Sequence, residues 1–293
     1  MPTATRHRGQ ARWSRWLRNL HRDAASGACE AQYQLGHIYW DRDFAGPDDR
    51  EGLRWFRLAA ENGSPGAWSQ VAHAYVAGRG VRRDPREAFR LVAASALAND
   101  LAGIMNLGRY YRDGVGVTKN ASHGVALLEE AVNRGFGFAA WDVAWAYKRG
   151  RGVERDLVLA AHWLDIAARA EHWGAAYQLA VMYENGEGVA RSPRKALRWM
   201  KRAAEFYDED AYHSLGWYFE KGVGCRPNMN VARRWYELGA KAGNAASAFN
   251  LALHYAERGG RHSATARRWL LRAKTLDPKW TAKRAATIEK LLA

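Results

Sequence analysis

Residues 175–204 read AAYQLAVMYENGEGVARSPRKALRWMKRAA. Ala175, Leu179 and Tyr183 are spaced i, i+4, i+8, so they share one face of a helix. Gly186 fits the position just past a helix end, where positive φ is needed. Ser192 and Pro193 follow as the N-cap and first residue of a second helix, which carries Trp199 and Ala203 one turn apart. The stretch predicts a helix, a glycine turn and a capped second helix.

The same arrangement returns at a constant spacing of 36 residues. The apolar column is Leu35, Val71, Leu107, Val143, Leu179, Leu215 and Leu251. Next to it runs a column with nothing larger than Ala: Gly36, Ala72, Gly108, Ala144, Ala180, Gly216 and Ala252. An aromatic column follows three residues later, from Tyr39 to Tyr255, with Phe219 the one non-tyrosine. The second helix has a bulky column, Trp55, Leu91, Leu127, Trp163, Trp199, Trp235 and Trp269, beside a small one from Ala59 to Ala273. Bulky residues set against small ones predict two helices interlocked at short separation. Asp48, Asp84, Asn120, Asp156, Ser192 and Asn228 stand at the second N-cap. The first turn, Arg42-Asp43-Phe44, lacks the glycine pair, and the last is trimmed at Gly259-Gly260.

This pattern resembles the Sel-one-like repeat, a relative of the tetratricopeptide repeat, over roughly residues 27–275. It departs from it at Ser192, Leu91 and Leu127, which keep capping and bulk. The resemblance implies an all-α, right-handed α-solenoid of about seven 36-residue helix-turn-helix repeats with N- and C-terminal capping helices. The units would lie near 27–62, 63–98, 99–134, 135–170, 171–206, 207–242 and 243–275. Residues 1–26 would form a basic capping helix, with Trp13, Trp16, Leu17 and Leu20 on one face. Residues 276–293 would form the other, capped by Asp277-Pro278 and anchored by Ile288 and Leu291. Stability of such an array comes from stacking each unit on its neighbours. Family members act mostly as scaffolds or adaptors, in bacterial signalling, envelope, secretion and host-interaction settings.

In such repeats the face of the first helix opposite its packing stripe lines a concave groove. It would present Tyr33, His37 and Trp40 in the first unit and Arg109 and Arg112 in the third. Trp141, Trp145 and Lys148 follow in the fourth, Tyr177 and Glu184 in the fifth, and His213, Trp217 and Glu220 in the sixth. These columns vary in type while the packing columns do not, and aromatics with Arg are the usual anchors of protein interfaces. Arg112 and Lys148 give way to Glu184 and Glu220, which would orient a bound segment by charge. The expected partner is a protein or peptide bound in units three to six. The competing reading makes Trp141, Trp145 and Trp217 inter-repeat packing residues. A polar column, Gln34, Gln70, Asn106, Asp142, Gln178, Ser214 and Asn250, is expected to satisfy groups between stacked helices.

Little points to chemistry. His37 and His73 are equivalent in adjacent units, but neighbouring helices stand ~10 Å apart, and no carboxylate or cysteine column accompanies them. Gly78-x-Gly80 and its copies follow no strand and lack the third glycine of a dinucleotide fingerprint. No catalytic residues, cofactor or metal are expected, and the per-repeat cysteine pair of family members linked with enzymatic activity is missing. With Cys29 and Cys225 the sole cysteines, a reduced, cytoplasmic setting is expected.

The 293 residues carry a net charge of +15, unevenly placed. Residues 1–22 hold six arginines and no acid, and residues 258–293 hold ten basic residues against Asp277 and Glu289. The body between them is close to neutral, which argues against a nucleic-acid groove and leaves two basic ends. A polyanion or nucleic-acid binder using those ends is the rival from another class. The N-terminal helix could also lie on an anionic membrane surface or serve as a targeting sequence. A narrower form of the adaptor reading is an immunity or chaperone-like protein for a secreted bacterial effector or toxin.

Overall fold

The computed structural model describes residues 15–41, 48–64, 66–206 and 209–292. Trp13, the Arg42-Asp43-Phe44 turn and the Leu291 side chain lie outside the described residues. Every regular element among the described residues is helical. Contacts divide the chain into two compact units, Met1–Arg155 and Asp156–Ala293.

The first unit contains α1 (described over 15–25), α2 (Cys29–Trp40), α3 (Asp49–Glu61), α4 (Ala67–Ala77), α5 (Pro85–Leu97), α6 (Leu101–Asp113), α7 (Ala121–Asn133) and α8 (Ala140–Arg149). The second contains α9 (Leu157–Arg169), α10 (Trp173–Asn185), α11 (Pro193–Ala204), α12 (Glu209–Lys221), α13 (Met229–Ala242), α14 (Ala245–Arg258), α15 (Ser263–Leu276), α16 (Pro278–Ala282) and α17 (Ala285–Leu292). Within each unit, from α2 to α8 and from α9 to α15, every helix packs on the next in the chain. Six of the seven helix pairs expected from the columns are packed within a unit, namely α2/α3, α4/α5 and α6/α7 in the first and α10/α11, α12/α13 and α14/α15 in the second.

The caps form as the local chemistry dictates. The side chains of Asp48, Asp84, Asn120, Asp156, Ser192 and Asn228 each accept a hydrogen bond from a backbone N–H in the first turn of the helix that follows. The N–H of the cap residue itself returns to the aromatic column. Asp84 donates to the Tyr75 carbonyl, Asn120 to Tyr111 and Ser192 to Tyr183, at 2.8–2.9 Å. Each connecting turn is thereby closed at its base.

Leu35, Val71, Val143, Leu179, Leu215 and Leu251 are buried, as the periodicity requires. The partner they meet differs from the expected one. The deepest column of the second helices is not the Trp55 column but the next residue: Phe56, Val92, Leu128, Leu164, Met200, Tyr236 and Leu270, all buried. A Cβ on Gly36 would lie 2.7 Å from the Phe56 ring, and one on Gly108 would press on Leu128. Within a pair, bulk at position 56 therefore fills the space that the small residue at position 36 leaves. Between pairs, small meets small. Ala59 packs on Ala67, and Ser95 and Ser247 occupy the space a Cβ would need at Gly103 and Gly239.

The second glycine of each turn has its own reason. Gly80, Gly116, Gly152, Gly188 and Gly224 have φ between 67° and 81°. A Cβ at these positions would run into the backbone of Asp49, Pro85, Ala121, Leu157 and Pro193, the first helical residue of the second helix one repeat earlier. The turns press directly on the preceding repeat, and only glycine leaves room.

At the N-terminal end Leu20 and Ala24 are buried against Leu35 and Trp55, with Leu17 packed beside them, while Trp16 stays exposed. Of the apolar face assigned to this helix, Leu17 and Leu20 are packed inside the protein and Trp16 is not. At the other end the single closing helix expected is two, α16 and α17. Asp277 caps the first, accepting from the Trp280 N–H, and Ile288 is fully buried.

Gly116→Ala should cost about 3 kcal/mol or more, because left-handed strain adds to overlap with the Pro85 carbonyl. Gly135→Ala, at φ 100° with nothing within 4 Å of the new Cβ, should cost only about 1–2 kcal/mol. Urea unfolding of the two variants checks the difference.

Candidate binding surface on the first helices of the repeats

The polar column is wired to the column before it by a bond that spans 37 residues. Gln70 donates to the Tyr33 hydroxyl, Asn106 to Ser69 at 2.8 Å, Ser214 pairs with Tyr177, and Asn250 with His213. These side chains satisfy one another between adjacent first helices, as expected.

The ladder breaks once within the first unit. The residue that should meet Asp142 is Met105, which offers no polar atom and is buried. Asp142, 7% exposed, turns to arginines of α6 instead. Arg109 donates to it at 2.6 and 2.9 Å, and Arg112 at 2.7 Å. Arg112 also grips Asp113 with two bonds at 2.8 and 2.9 Å. The Asp113 bond, supported by Asp142 and opposed by burial, raises the pKa of Arg112 above the ordinary guanidinium value. Arg112 and Arg151 together hold the Asp113 carboxyl below its usual range, the Arg112 bond contributing most.

Above this network, Trp141 and Trp145 meet edge to face at 5.5 Å. Lys148 and Arg149 stand over the Trp145 ring at 5.1 and 4.6 Å. Arg112, Asp142, Trp145, Ala146, Arg149 and Arg151 line a cavity of about 260 Å³. Arg109, Arg112, Trp141, Trp145 and Lys148 are thus brought together, all half-buried. Arg149 and Arg151 belong with them and were missed.

The signal for Arg151 was present in the periodicity. It stands between the two turn glycines, where repeat two has Arg79. Arg79 donates to the Asp49 carboxylate and the Trp40 carbonyl and lies over the Trp40 ring at 4.5 Å. Seventy-two residues on, Asp49 becomes Ala121 and Trp40 becomes Arg112. Arg151 keeps the place of Arg79 but loses the Asp49 carboxylate and the Trp40 ring.

The remaining expected residues divide differently. Trp40 is buried against Phe56 and beneath Arg79, so it is a packing residue and not part of an exposed face. Tyr33 is half-buried, and His37 is exposed with its ring edge-on to Tyr33 and Phe56. In the second unit Trp217 is 37% exposed, while Tyr177 and His213 serve the ladder. Glu184 and Glu220 accept the hydroxyls of Tyr218 and Tyr236, which are 1% and 2% exposed. Burial first, and then these bonds, push both tyrosine pKa values upward. The two glutamates hold buried tyrosines in place, so the expected change of sign along the column does not amount to a free acidic face. Among the described residues no group of three or more His, Cys, Asp or Glu is arranged to hold a metal ion. No described helix is long and apolar enough to cross a membrane.

The Sel1 repeat model matches residues 29–64, 69–100, 101–136, 137–172, 173–205 and 209–244. The chain belongs to the Sel1 repeat family. Its seventh helix pair, α14 and α15, lies beyond the matched residues. Among solved structures, a Sel1 repeat protein from Oxalobacter formigenes is 26% identical, with TM-score 0.66, over 87% of this chain and all of that one. A protective antigen of uropathogenic Escherichia coli with the same fold is 25% identical, with TM-score 0.64, over 88% of this chain. The match spans 56% of that antigen's length. An immunity protein from Pseudomonas aeruginosa shares the fold at 21% identity and TM-score 0.54, over 73% of this chain and 81% of that one. No curated protein matches the chain.

Asp142→Asn removes the carboxylate that Arg109 and Arg112 share. With both arginines partly solvated, the expected loss is about 2–3 kcal/mol. Asp113→Asn, at an exposed pair, should cost about 1 kcal/mol or less. Chemical denaturation of both variants measures the contrast. A second expectation concerns pH. Burial lowers the pKa of His213 below 6.5, with Asp210 and Glu220 opposing the shift. The folded state then binds fewer protons than the unfolded one, so stability is full above pH 6.5 and falls as the pH drops towards the folded pKa. His213→Asn should flatten the decline in melting temperature between about pH 7.5 and 5.5, read by circular dichroism.

Proposed function

We propose that the chain is a non-enzymatic scaffold that binds a polypeptide partner on the solvent side of its first helices. The surface is centred in the first unit on α6, α8 and the turn after α8. Sel1 repeats generally mediate protein interactions, and the immunity role named for the Pseudomonas aeruginosa relatives is one form such binding takes. The observation that carries the proposal is the cluster at Trp145. Two tryptophans and several cations collect there on a supported backbone, the composition and rigidity that protein interfaces use for their anchors. Arg109, Arg112 and Asp142 brace this cluster from below, so the energy of binding falls to Trp145, Arg149 and Arg151.

Trp40, expected on the binding face, is sealed as a packing residue, whereas Trp145 is only half-buried. A nucleic-acid ligand fits less well. A backbone-tracking site needs cations spaced along a stripe, whereas the equivalent places in repeats one and two carry His37 and His73.

A photo-crosslinking residue at Lys148 or Arg149, in protein expressed in its native organism, should yield a protease-sensitive, nuclease-resistant adduct. The same residue at Arg90, exposed on α5, should not. Equal yields at the three positions, or adducts removed by nuclease, would overturn the proposal.

A further inference from the structure

Three cavities and their rims offer candidates for a specific ligand. One of about 430 Å³ around the second repeat is lined mostly by apolar groups such as Trp68, Leu91 and Ala94, and its one carboxylate, Asp100, already accepts from Ser95. A second, of about 480 Å³, has Arg169, Arg198 and Arg202 around Trp199. Arg169 is already paired with Asp165, and Arg202 with Glu171 and Glu205. The third is the cavity at Trp145, and its charge is not balanced.

Arg149 and Arg151 are exposed, and neither donates a hydrogen bond among the described residues. Arg151 faces Asp113 only through space, and Arg112 has already taken both oxygens of that carboxylate. Asp142 is likewise committed, its two oxygens held by Arg109 and Arg112. Around the cavity Arg109, Arg112, Arg149 and Arg151 outnumber Asp113 and Asp142. Two guanidinium groups, each a planar fork suited to a carboxylate, are therefore left with donors to spare.

We propose that this cavity binds a carboxylate of an acidic segment in the polypeptide partner, held between Arg149 and Arg151 with Trp145 and Ala146 as the apolar wall. The proposal rests on the scaffold reading above and names the chemistry its partner must supply. Two features select an acidic peptide. The volume suits a side chain bearing one carboxylate and its methylenes. Trp145 and Ala146, which line the cavity, cover those methylenes. The backbone is set in advance. Arg151 stands between Gly150 and Gly152, at φ 65° and 81°, and Gly152 rests on the Ala121 backbone, so little order has to be created on binding.

The test uses fluorescence polarisation with the full chain and three labelled probes: a peptide of alternating Glu and Ser, its Lys counterpart, and a single-stranded oligonucleotide of matching charge. Arg149→Glu with Arg151→Glu is compared with Arg226→Glu with Arg234→Glu, an equal charge change at exposed arginines of the second unit. At about 150 mM salt the Glu peptide should bind the unaltered protein, weaken about tenfold or more in the first variant and change about twofold or less in the second. The Lys peptide should not bind. Equal losses in both variants would reduce the effect to net charge and overturn the inference. So would an oligonucleotide that binds more tightly than the Glu peptide and depends on the same two arginines. The Lys148 crosslink separates this inference from the scaffold reading. A polypeptide adduct that survives Arg149→Glu with Arg151→Glu undiminished overturns the carboxylate site and leaves the scaffold standing, while its absence from the unaltered protein overturns the scaffold itself. Its loss in the variant supports both.

Discussion

Backbone touches backbone at the second glycine of each connecting turn, and the geometry of the first helices depends on that contact. The turn presses on the start of a helix one repeat earlier, at a distance no side chain allows. Because each copy makes the same contact, successive first helices are held in one register within each unit. A hydrogen-bond ladder between residues 37 apart can then recur, since its partners always arrive at the same separation. Without that register the half-buried polar column would lose its regular partners.

A regular ladder also makes a single exception consequential. Met105 cannot receive the group that faces it, so Asp142 recruits Arg109 and Arg112. Separately, Ala121 and Arg112 stand where repeat two has Asp49 and Trp40, so Arg151 lacks the carboxylate and the ring that hold Arg79. The exception in the ladder and the change at the turn meet around one cavity. The same logic explains the second unit. Glu184 and Glu220 serve buried tyrosines, so their charge is spent on tying α10 to α12 and α12 to α13.

Much of the helix pairing was legible because it rests on local rules. An N-cap is recognised from Asp, Asn or Ser followed by a helical stripe, and all six proposed caps accept the expected bonds. Leu35 and its copies announce themselves by spacing. The Trp55 column was a less faithful guide, because bulk suggests burial while depth depends on which side of the helix its neighbour approaches. Phe56 and its copies vary from Val to Tyr, so they looked irregular, yet they fill the interior. Among the surface residues, Trp40 and Trp145 are both tryptophans on the same face of equivalent helices. One is sealed by Phe56 and Arg79, while the other stands with Lys148 and Arg149, and a column of residue types cannot distinguish them.

The sequence by itself determined the repeat length, the helix pairing within each unit, and the positions of caps and turns. Those properties follow from torsional preference and from side chains within one or two turns of each other, which the order of residues states directly. Only the tertiary structure decided which arginines are paired and which are free, why the second glycine is required, and where the closing helix breaks. Each of those depends on what a neighbouring repeat places within a few ångströms. A substitution thirty or more residues away can reverse the outcome without altering anything local.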